Sequence, residues 1–532
     1  MKKLLLAALV VLSACVTTPA PAPLPKDAAQ IAPDTLEKMV APPPPTKPVP
    51  YVALPAVEPM KLVVLPAPNK PSVSLRLVFR TGSVDDPKGR EGLTALTLRV
   101  LLEGGTKSLD ASQFLEALFP MAAELSGDTD REFSTIAARV PKERWARFLE
   151  IFQETLLAPR LDSKEFERLK SEQLNALRTR LRQENDEELS KAALDALLAE
   201  SHPYGHPAVG TEEGLGAITL DDVRAHWKNV FTQDRLIIGL AGGVDDALAA
   251  GVKTTLGQLP ATGTTRAPLP TLPGPIGNTI ILKRDTASTA GNFGFSSPIR
   301  RDHPDFVDLF IAFSYFGEHR QEHGVLFQEV RDRRGLNYGT YAYAQHYRQD
   351  PGESVPRPNV LRSQQDVTFW LRPVPSKDAV FATRAIVYFL EKTRSTPPPA
   401  DRFETARGFL AGATRIWTLT DQRRLGWAID DVIHGTPDFL GQVRTRLQTI
   451  TPADVQAVMK KHVALDSLNF AFVTKDAEGL AAALKSGAPS PITYQSPKPK
   501  DLLADDEQIA KQPLPLSADR VRVEDAADFM RR

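Results

Sequence analysis

The sequence predicts an α+β fold built from two homologous domains, and three observations carry that prediction. The first is a duplication. ITLDDVRAHWKNVFTQDRLIIGLAGGV, Ile218 to Val244, and ITPADVQAVMKKHVALDSLNFAFV, Ile450 to Val473, share one plan: a threonine N-cap (Thr219, Thr451), an acid three residues on (Asp222, Asp454), an amphipathic helix and an apolar strand. Threonine and acid at that spacing form a capping box, each side chain answering the other's backbone N–H. The second is a pair of strands in Leu62 to Gly82 and the helix after them, with a counterpart in Ile280 to Leu282, Asn292 to Phe295 and Asp302 to Phe316. The third is Pro260 to Gly277, PATGTTRAPLPTLPGPIG, which has linker composition and no apolar periodicity. Copies this far apart are domains and not solenoid repeats, and 532 residues exceed what one core organises.

The chain opens MKKLLLAALVVLSAC: two lysines, a short apolar run, then Leu12-Ser13-Ala14-Cys15. That order reads as a secretion signal over residues 1–14, and L-S-A-C resembles the lipobox at which the cysteine becomes lipidated. Cys15 is the single cysteine. The apolar run is shorter than the roughly 20 residues a membrane span needs, so the expectation is a bacterial envelope protein on a lipid anchor. Val16 in place of an aspartate after the cysteine suggests, by analogy with lipoproteins generally, the outer membrane facing the periplasm. Residues 15–58, rich in proline and alanine, read as a semi-rigid tether. With 65 basic and 65 acidic side chains the formal charge is zero, so no polybasic field favours nucleic acid as a partner.

The first domain is expected over residues 59–259. Val73, Leu75, Leu77 and Phe79 alternate with Ser74, Arg76, Val78 and Arg80, the period of a half-buried strand. Leu93, Leu96, Val100 and Leu101 then recur at helical spacing before Gly104-Gly105 stops the run. Helices come next over 110–118 and 141–157 with a strand over 133–140 between them. Asp162-Ser163 caps a long charged helix to about Glu184, and another runs from Asp186 to Glu200. The linker is expected over 260–277, the second domain over 278–488 and an irregular, proline-rich charged tail over 489–532.

GSVDDPKGREGL, the helix after it, EGGT, and His202-Pro203-Tyr204-Gly205 together resemble the insulinase-like (pitrilysin-type, inverted-zincin) peptidase family. The resemblance implies two domains of the insulinase/mitochondrial-processing-peptidase type, each a mixed sheet covered by helices, arranged like a clam around a peptide chamber. Active members carry H-x-x-E-H on the first helix, where the histidines hold zinc and the glutamate polarises a water. The matching positions here are Ala95, Leu98 and Arg99: a methyl, an isobutyl group and a cation offer zinc no lone pair. No histidine precedes His202. The family's third ligand, a downstream glutamate, falls between Glu172 and Ala176, where Glu172 reads more simply as part of a salt-bridged face. No metal or other cofactor is therefore expected on this chain.

VLFQEVRDRRGLNYGTYAY, Val325 to Tyr343, sets Arg331 and Tyr338 in R-x-x-x-G-L-x-Y, which resembles the arginine and tyrosine that family members place against the scissile peptide. Guanidinium and phenol both donate hydrogen bonds to a carbonyl oxygen. Without that resemblance, Arg331 reads as pairing with Glu329 or Asp332, and Tyr338 as core. His319-Arg320-Gln321-Glu322-His323 spells H-x-x-E-H, but beyond the second domain's first helix and before Gly324, so it reads as an accidental match. In two-chain members one subunit carries zinc and the other the arginine and tyrosine. The leading expectation is thus a non-catalytic, peptide-binding subunit whose partner bears the zinc. The alternatives are an envelope peptide-binding or scaffold lipoprotein with no protease partner, and an autonomous zinc peptidase using His319, Glu322 and His323.

Overall fold

The computed structural model describes residues 46–179, 185–318, 321–348 and 355–531. Cys15, the expected signal and the first part of the expected tether lie outside them. The first half folds around β1 (Lys61–Pro66), β2 (Ser72–Phe79), β3 (Glu124–Thr129), β4 (Ser134–Pro141) and β5 (Leu236–Gly242), in the order β1-β5-β2-β4-β3. The second uses β6 (Thr279–Lys283), β7 (Ser288–Ser297), β8 (Thr340–Tyr343), β9 (Gln365–Pro375), β10 (Asn469–Thr474) and β11 (Val521–Asp525), in the order β11-β6-β10-β7-β9-β8. Without β11 the two orders coincide. In each, the first and last strands of the repeat pair parallel (β1 with β5, β6 with β10) and the other neighbours pair antiparallel. The duplication seen in two helix caps extends to the pairing of every shared strand.

The helices that cover these sheets and bear on the site are α1 (Leu93–Glu103), α2 (Ser163–Leu177), α3 (Asp186–Leu198) and α4 (Leu220–Val230) in the first half, and α5 (Phe306–Phe316), α6 (Asp421–His434) and α7 (Pro452–His462) in the second. The capping boxes of α4 and α7 form as the spacing predicts. Thr219 N–H donates to Asp222 Oδ2 at 2.8 Å and Asp222 N–H to Thr219 Oγ1 at 3.2 Å; at Thr451 and Asp454 the same bonds measure 2.9 and 3.2 Å.

The outer face of the first sheet is apolar by alternation. Val73, Leu75, Leu77 and Phe79 of β2 pack with Leu98, Leu101 and Leu102 of α1 and with Phe148 and Phe152 of the helix Trp145–Leu157. The inner face was expected to be half exposed, and it is not: β2 is buried along nearly its whole length. The cover comes from the other half, whose α6 sets Leu425, Ile429 and Ile433 on Val78, Ile237 and Ala241. Gly239 of β5 makes this possible, since a Cβ there would sit 2.8 Å from both Leu425 Cγ and Ile429 Cδ1. Arg76, the polar position that gives β2 its amphipathic look, is buried and donates to Asn359 Oδ1, whose amide donates to Asp430 Oδ1 at 2.7 Å. Arg301 reaches the other oxygen of Asp430 at 3.1 Å, so the buried carboxylate is answered from both sides.

The arrangement is reciprocal. From the first half, α3 lays Leu189, Leu194 and Leu197 on Ile280, Leu282, Ala471 and Val473 of the second sheet. Each half thus lends one helix to the other's sheet. The inner faces of the two sheets are covered by α3 and α6.

The expected tether and tail also differ from the structure. From Thr46 the chain is an ordered arm: Val49 exchanges backbone hydrogen bonds with Leu272 of the linker at 3.0 and 2.9 Å, and Val49 and Leu54 are buried. Apolar residues spaced among prolines give the arm something to bury, which overall composition hides. The tail contributes β11, parallel to β6 along Val521 to Asp525, and is not an irregular strap. The turn at His202 joins three parts, with the Tyr204 phenol donating to Glu132 and standing 3.4 Å from the hydroxyl of Ser363, and His202 Nε2 standing 3.1 Å from Pro270 O. Among the described residues no helix is long and apolar enough to cross a membrane.

Candidate functional site

The N-terminus of α1 is clamped by Asp86, whose carboxylate accepts from Gly92 N–H and Thr94 N–H at 2.7 Å each and from Thr94 Oγ1 at 2.6 Å. A carboxylate on the first N–H groups of a helix is favoured by the dipole. The helix so fixed carries Ala95, Leu98 and Arg99. Ala95 and Leu98 are buried, and Leu98 packs with Leu102 beneath Gly127 of β3, where a Cβ would come within 3.2 and 2.4 Å of them respectively. Arg99 donates to Glu103 Oε1 at 3.0 Å, to Glu172 Oε2 on α2 at 3.0 Å and to Leu169 O at 3.2 Å. Arg168 holds the other oxygen of Glu172 at 2.7 Å. These two arginines, Arg168 first, keep the Glu172 carboxyl below the usual carboxylate range. Zinc does not fit here: Glu172 is shared by two guanidiniums, Glu103 is held by Arg99, and among the described residues the one cluster of three ligand-type side chains lies elsewhere.

The second H-x-x-E-H fares no better. Its His319 lies outside the described residues. The rest comes after the end of α5, Glu322 and His323 sitting in a turn where Glu322 is exposed and His323 buried. The His323 ring packs 4.9 Å from Phe409, and burial pushes its pKa down to about 4. Glu322 and His323 therefore do not share a helical face, which the zinc motif requires. A third cluster, His303, Asp305 and His462, brings three ligand-type side chains within 4.8 Å of one another. There Lys461 Nζ and His462 Nε2 bond Asp305 Oδ2 at 2.6 and 2.7 Å and hold its pKa at about 2. An ammonium already answers the carboxylate, and His303 Nδ1 accepts from the backbone N–H of Asp305 at 3.1 Å.

Arg331 and Tyr338 come together. Arg331 ends a single π-helical turn, Phe327–Asp332, a geometry that re-aims side chains out of a regular helix. Gly335, at φ +65°, then turns the chain back so that Tyr338 meets it. The guanidinium carbon of Arg331 lies 4.3 Å from the Phe327 ring centre and 4.6 Å from that of Tyr338. The alternative reading, a salt-bridged arginine and a core tyrosine, holds for Arg331 only as a long ion pair with Asp332 and fails for Tyr338. Arg331 approaches Asp332 no closer than 3.9 Å, Glu329 is taken by Arg333, Arg334 and Arg402, and Tyr338 is 67% exposed. A guanidinium stacked on aromatic rings keeps its N–H edges free for a carbonyl or carboxylate. Sequence reasoning missed Arg372 of β9, whose guanidinium carbon lies 5.5 Å from the Tyr338 ring centre and whose Nε donates to Glu187 Oε2 of α3 at 2.9 Å. Only the strand pairing of β8 with β9 brings it near, and no local pattern announces that pairing.

Duplicated sheets, a first helix with Ala95, Leu98 and Arg99 on it, and a half-buried arginine beside an exposed tyrosine define a two-domain insulinase-type chain. Comparison with known proteins agrees with this class. The family model "Insulinase (Peptidase family M16)" matches residues 61–211, and "Peptidase M16 inactive domain" matches residues 217–408. The chain belongs to the insulinase-like M16 family. It is 25% identical over 410 residues to "Non-peptidase homolog YmxG" of Helicobacter pylori, covering 75% of this chain and 88% of that protein. It is 23% identical over 290 residues to "Uncharacterized zinc protease YmxG" of Bacillus subtilis, covering 54% of this chain and 68% of that one. Among solved structures, a peptidase M16 inactive domain from Pseudomonas fluorescens superposes with a TM-score of 0.67 at 20% identity, over 80% of this chain and 97% of that one. A protease from Helicobacter pylori gives a TM-score of 0.67 at 16% identity, over 81% and 99%. The family is thus shared with proteins called protease and non-peptidase homologue alike.

Proposed function

We propose that this chain is the non-catalytic, peptide-gripping subunit of a two-chain zinc peptidase at the bacterial envelope. The observation that supports it is the split in the site: donors for a peptide carbonyl stand together at the half-buried Arg331 and the exposed Tyr338, while Ala95, Leu98 and Arg99 leave α1 nothing to hold a metal. In this reading a partner insulinase-like subunit supplies zinc and its activated water. Arg331 and Tyr338 donate to the carbonyl oxygen beside the scissile bond, orienting the peptide and favouring the oxyanion that develops there. In this reading the peptide cleft lies between subunits, since α3 and α6 cover the inner faces of this chain's own sheets. The chain alone is then inert toward peptides, and with a zinc-bearing homologue, most economically one encoded beside it, it forms a chelator-sensitive peptidase. Arg331→Ala and Tyr338→Phe should each lower kcat/KM of the pair by at least about tenfold, the scale of losing one transition-state hydrogen bond. A pair whose rate ignores both changes would refute the assignment.

Envelope location belongs to the same proposal and rests on the sequence around Cys15. Lipidation of Cys15 would hold the chain at a membrane, with the proline-rich segment after it as spacer. Cys15→Ser is expected to move the protein from the membrane to the soluble fraction, and unchanged partition rejects the anchor.

A further inference from the structure

Tyr338 is exposed on a short loop, where a phenol would be free to swing. Besides Arg331, 4.6 Å from its ring centre, the loop that carries it is held through contacts to Arg372. The Arg372 guanidinium faces the Tyr338 ring at 5.5 Å. Asn337, the preceding residue, donates from Nδ2 to Arg372 O at 3.0 Å and to Thr340 Oγ1 at 3.1 Å, which fixes the loop on both sides of the tyrosine. The Tyr341 phenol also hydrogen-bonds Arg372. Arg372 is in turn anchored from the other half of the molecule, its Nε donating to Glu187 Oε2 at 2.9 Å. Glu187 stands in the first turn of α3 and is braced by Lys191 Nζ at 3.0 Å, whose ammonium rests 3.5 Å from the Trp370 ring centre. The same helix is seated on the second sheet by Ser190 Oγ and Asn292 Nδ2, 2.5 Å apart.

We propose that Arg372, held by Glu187, is the positioning residue that pre-sets Tyr338 for peptide, so that the seating of α3 on the second sheet controls the grip. The proposal rests on reading Arg331 and Tyr338 as peptide-binding. Arg372 does not itself hold peptide; its Nε is committed to Glu187, and its stacked face is what limits the rotamers of Tyr338. Ordering one rotamer-rich side chain before binding removes a cost otherwise met on binding, and a cation over an exposed ring contributes a comparable amount.

The test uses the full chain labelled with 3-fluorotyrosine, with the Tyr338 resonance among the nine tyrosines assigned by its loss in Tyr338→Phe. A fluorescein-labelled peptic digest of casein serves as the peptide probe in anisotropy titrations. Arg372→Gln and Glu187→Gln, checked for native circular dichroism, should shift the Tyr338 fluorine resonance and weaken peptide binding about fivefold, equivalent to about 1 kcal/mol. Arg372→Lys, which keeps the ion pair with Glu187 but loses the planar stack, should fall between. Binding that falls with Arg331→Ala but is untouched by Arg372→Gln and Glu187→Gln overturns the proposal and leaves the grip standing. Binding that falls with none of the variants, Tyr338→Phe included, overturns the grip itself. A fluorine resonance unmoved in both Arg372→Gln and Glu187→Gln rejects the positioning directly.

Discussion

At Arg99 a guanidinium bridges Glu103 on its own helix to Glu172 on α2. One fixed positive charge ties the two helices together. Such a pair, with side chains 29% and 47% exposed, contributes at most about 1 kcal/mol. The N-terminus of the same helix carries a sharper electrostatic device. Thr94 Oγ1 lies 2.6 Å from Asp86 Oδ1 and 2.8 Å from His226 Nε2, all three buried or nearly so. Burial lowers the His226 pKa from 6.5 to about 4 and raises that of Asp86 from 3.8 to about 7. The signs oppose. Between pH 6.5 and 4 the unfolded chain takes up a proton that folded His226 refuses, so this stability is present above pH 6.5 and lost as pH falls. Folded Asp86 keeps a proton that the unfolded chain releases, so its contribution is present below pH 3.8 and lost as pH rises toward 7. His226→Gln should therefore unmask the Asp86 limb. Urea unfolding at several pH values is expected to show the variant gaining stability relative to the parent as pH drops from 6.5 to 4, the two slopes differing by up to about 1.4 kcal/mol per pH unit. Parallel slopes in parent and variant would reject this account.

At the scale of the element, legibility in the sequence depends on where each element finds its partners. The boxes at Thr219 and Thr451, the N-cap at Asp162 and the apolar stripe of α1 act within a turn or two, and each forms where it is expected. β3 went unseen because Glu124–Thr129 is an edge strand with few apolar residues, held by its pairing with β4 and not by its own pattern. β11 hid in a charged tail because an edge strand of alternating charge looks like a solvated segment until the parallel partner β6 is known. β2 was read correctly as a strand but wrongly as one-sided. The polar residues that suggested a solvent face, Ser74 and Arg76, are buried under α6, and Arg76 is matched by Asn359 from the other half. The arginine and tyrosine of the candidate site were legible because they share one short segment. Arg372 and Glu187 were not, since one lies across a strand pair and the other across the interface between the halves.

For the whole molecule, the exchange of α3 and α6 makes each half incomplete without the other. The first sheet exposes Val78, Ile237 and Ala241 once α6 is removed, and the second exposes Ile280, Leu282, Ala471 and Val473 once α3 is removed. Uncovered apolar faces of that kind make a soluble chain bind itself or a dye. The buried ions add to the penalty. Arg76 loses Asn359, Asp430 loses Arg76 as neighbour, and Glu132 loses the Ser363 N–H and hydroxyl that donate to it at 2.6 and 2.8 Å. Leaving one partner of such a buried group uncompensated costs roughly 1 to 3 kcal/mol or more each, a large share of the roughly 5 to 15 kcal/mol that holds a typical domain together. Residues 46–259 expressed alone should therefore bind anilinonaphthalene sulfonate and lack a cooperative unfolding transition, whereas co-expression with residues 260–532 should restore a soluble complex. The intact protein is expected to unfold in a single transition by circular dichroism and tryptophan fluorescence together. Two separate transitions, or a stable isolated first half, would mean that the crossed helices dock on halves already folded and that the peptide-gripping loop could not sense α3 through the fold.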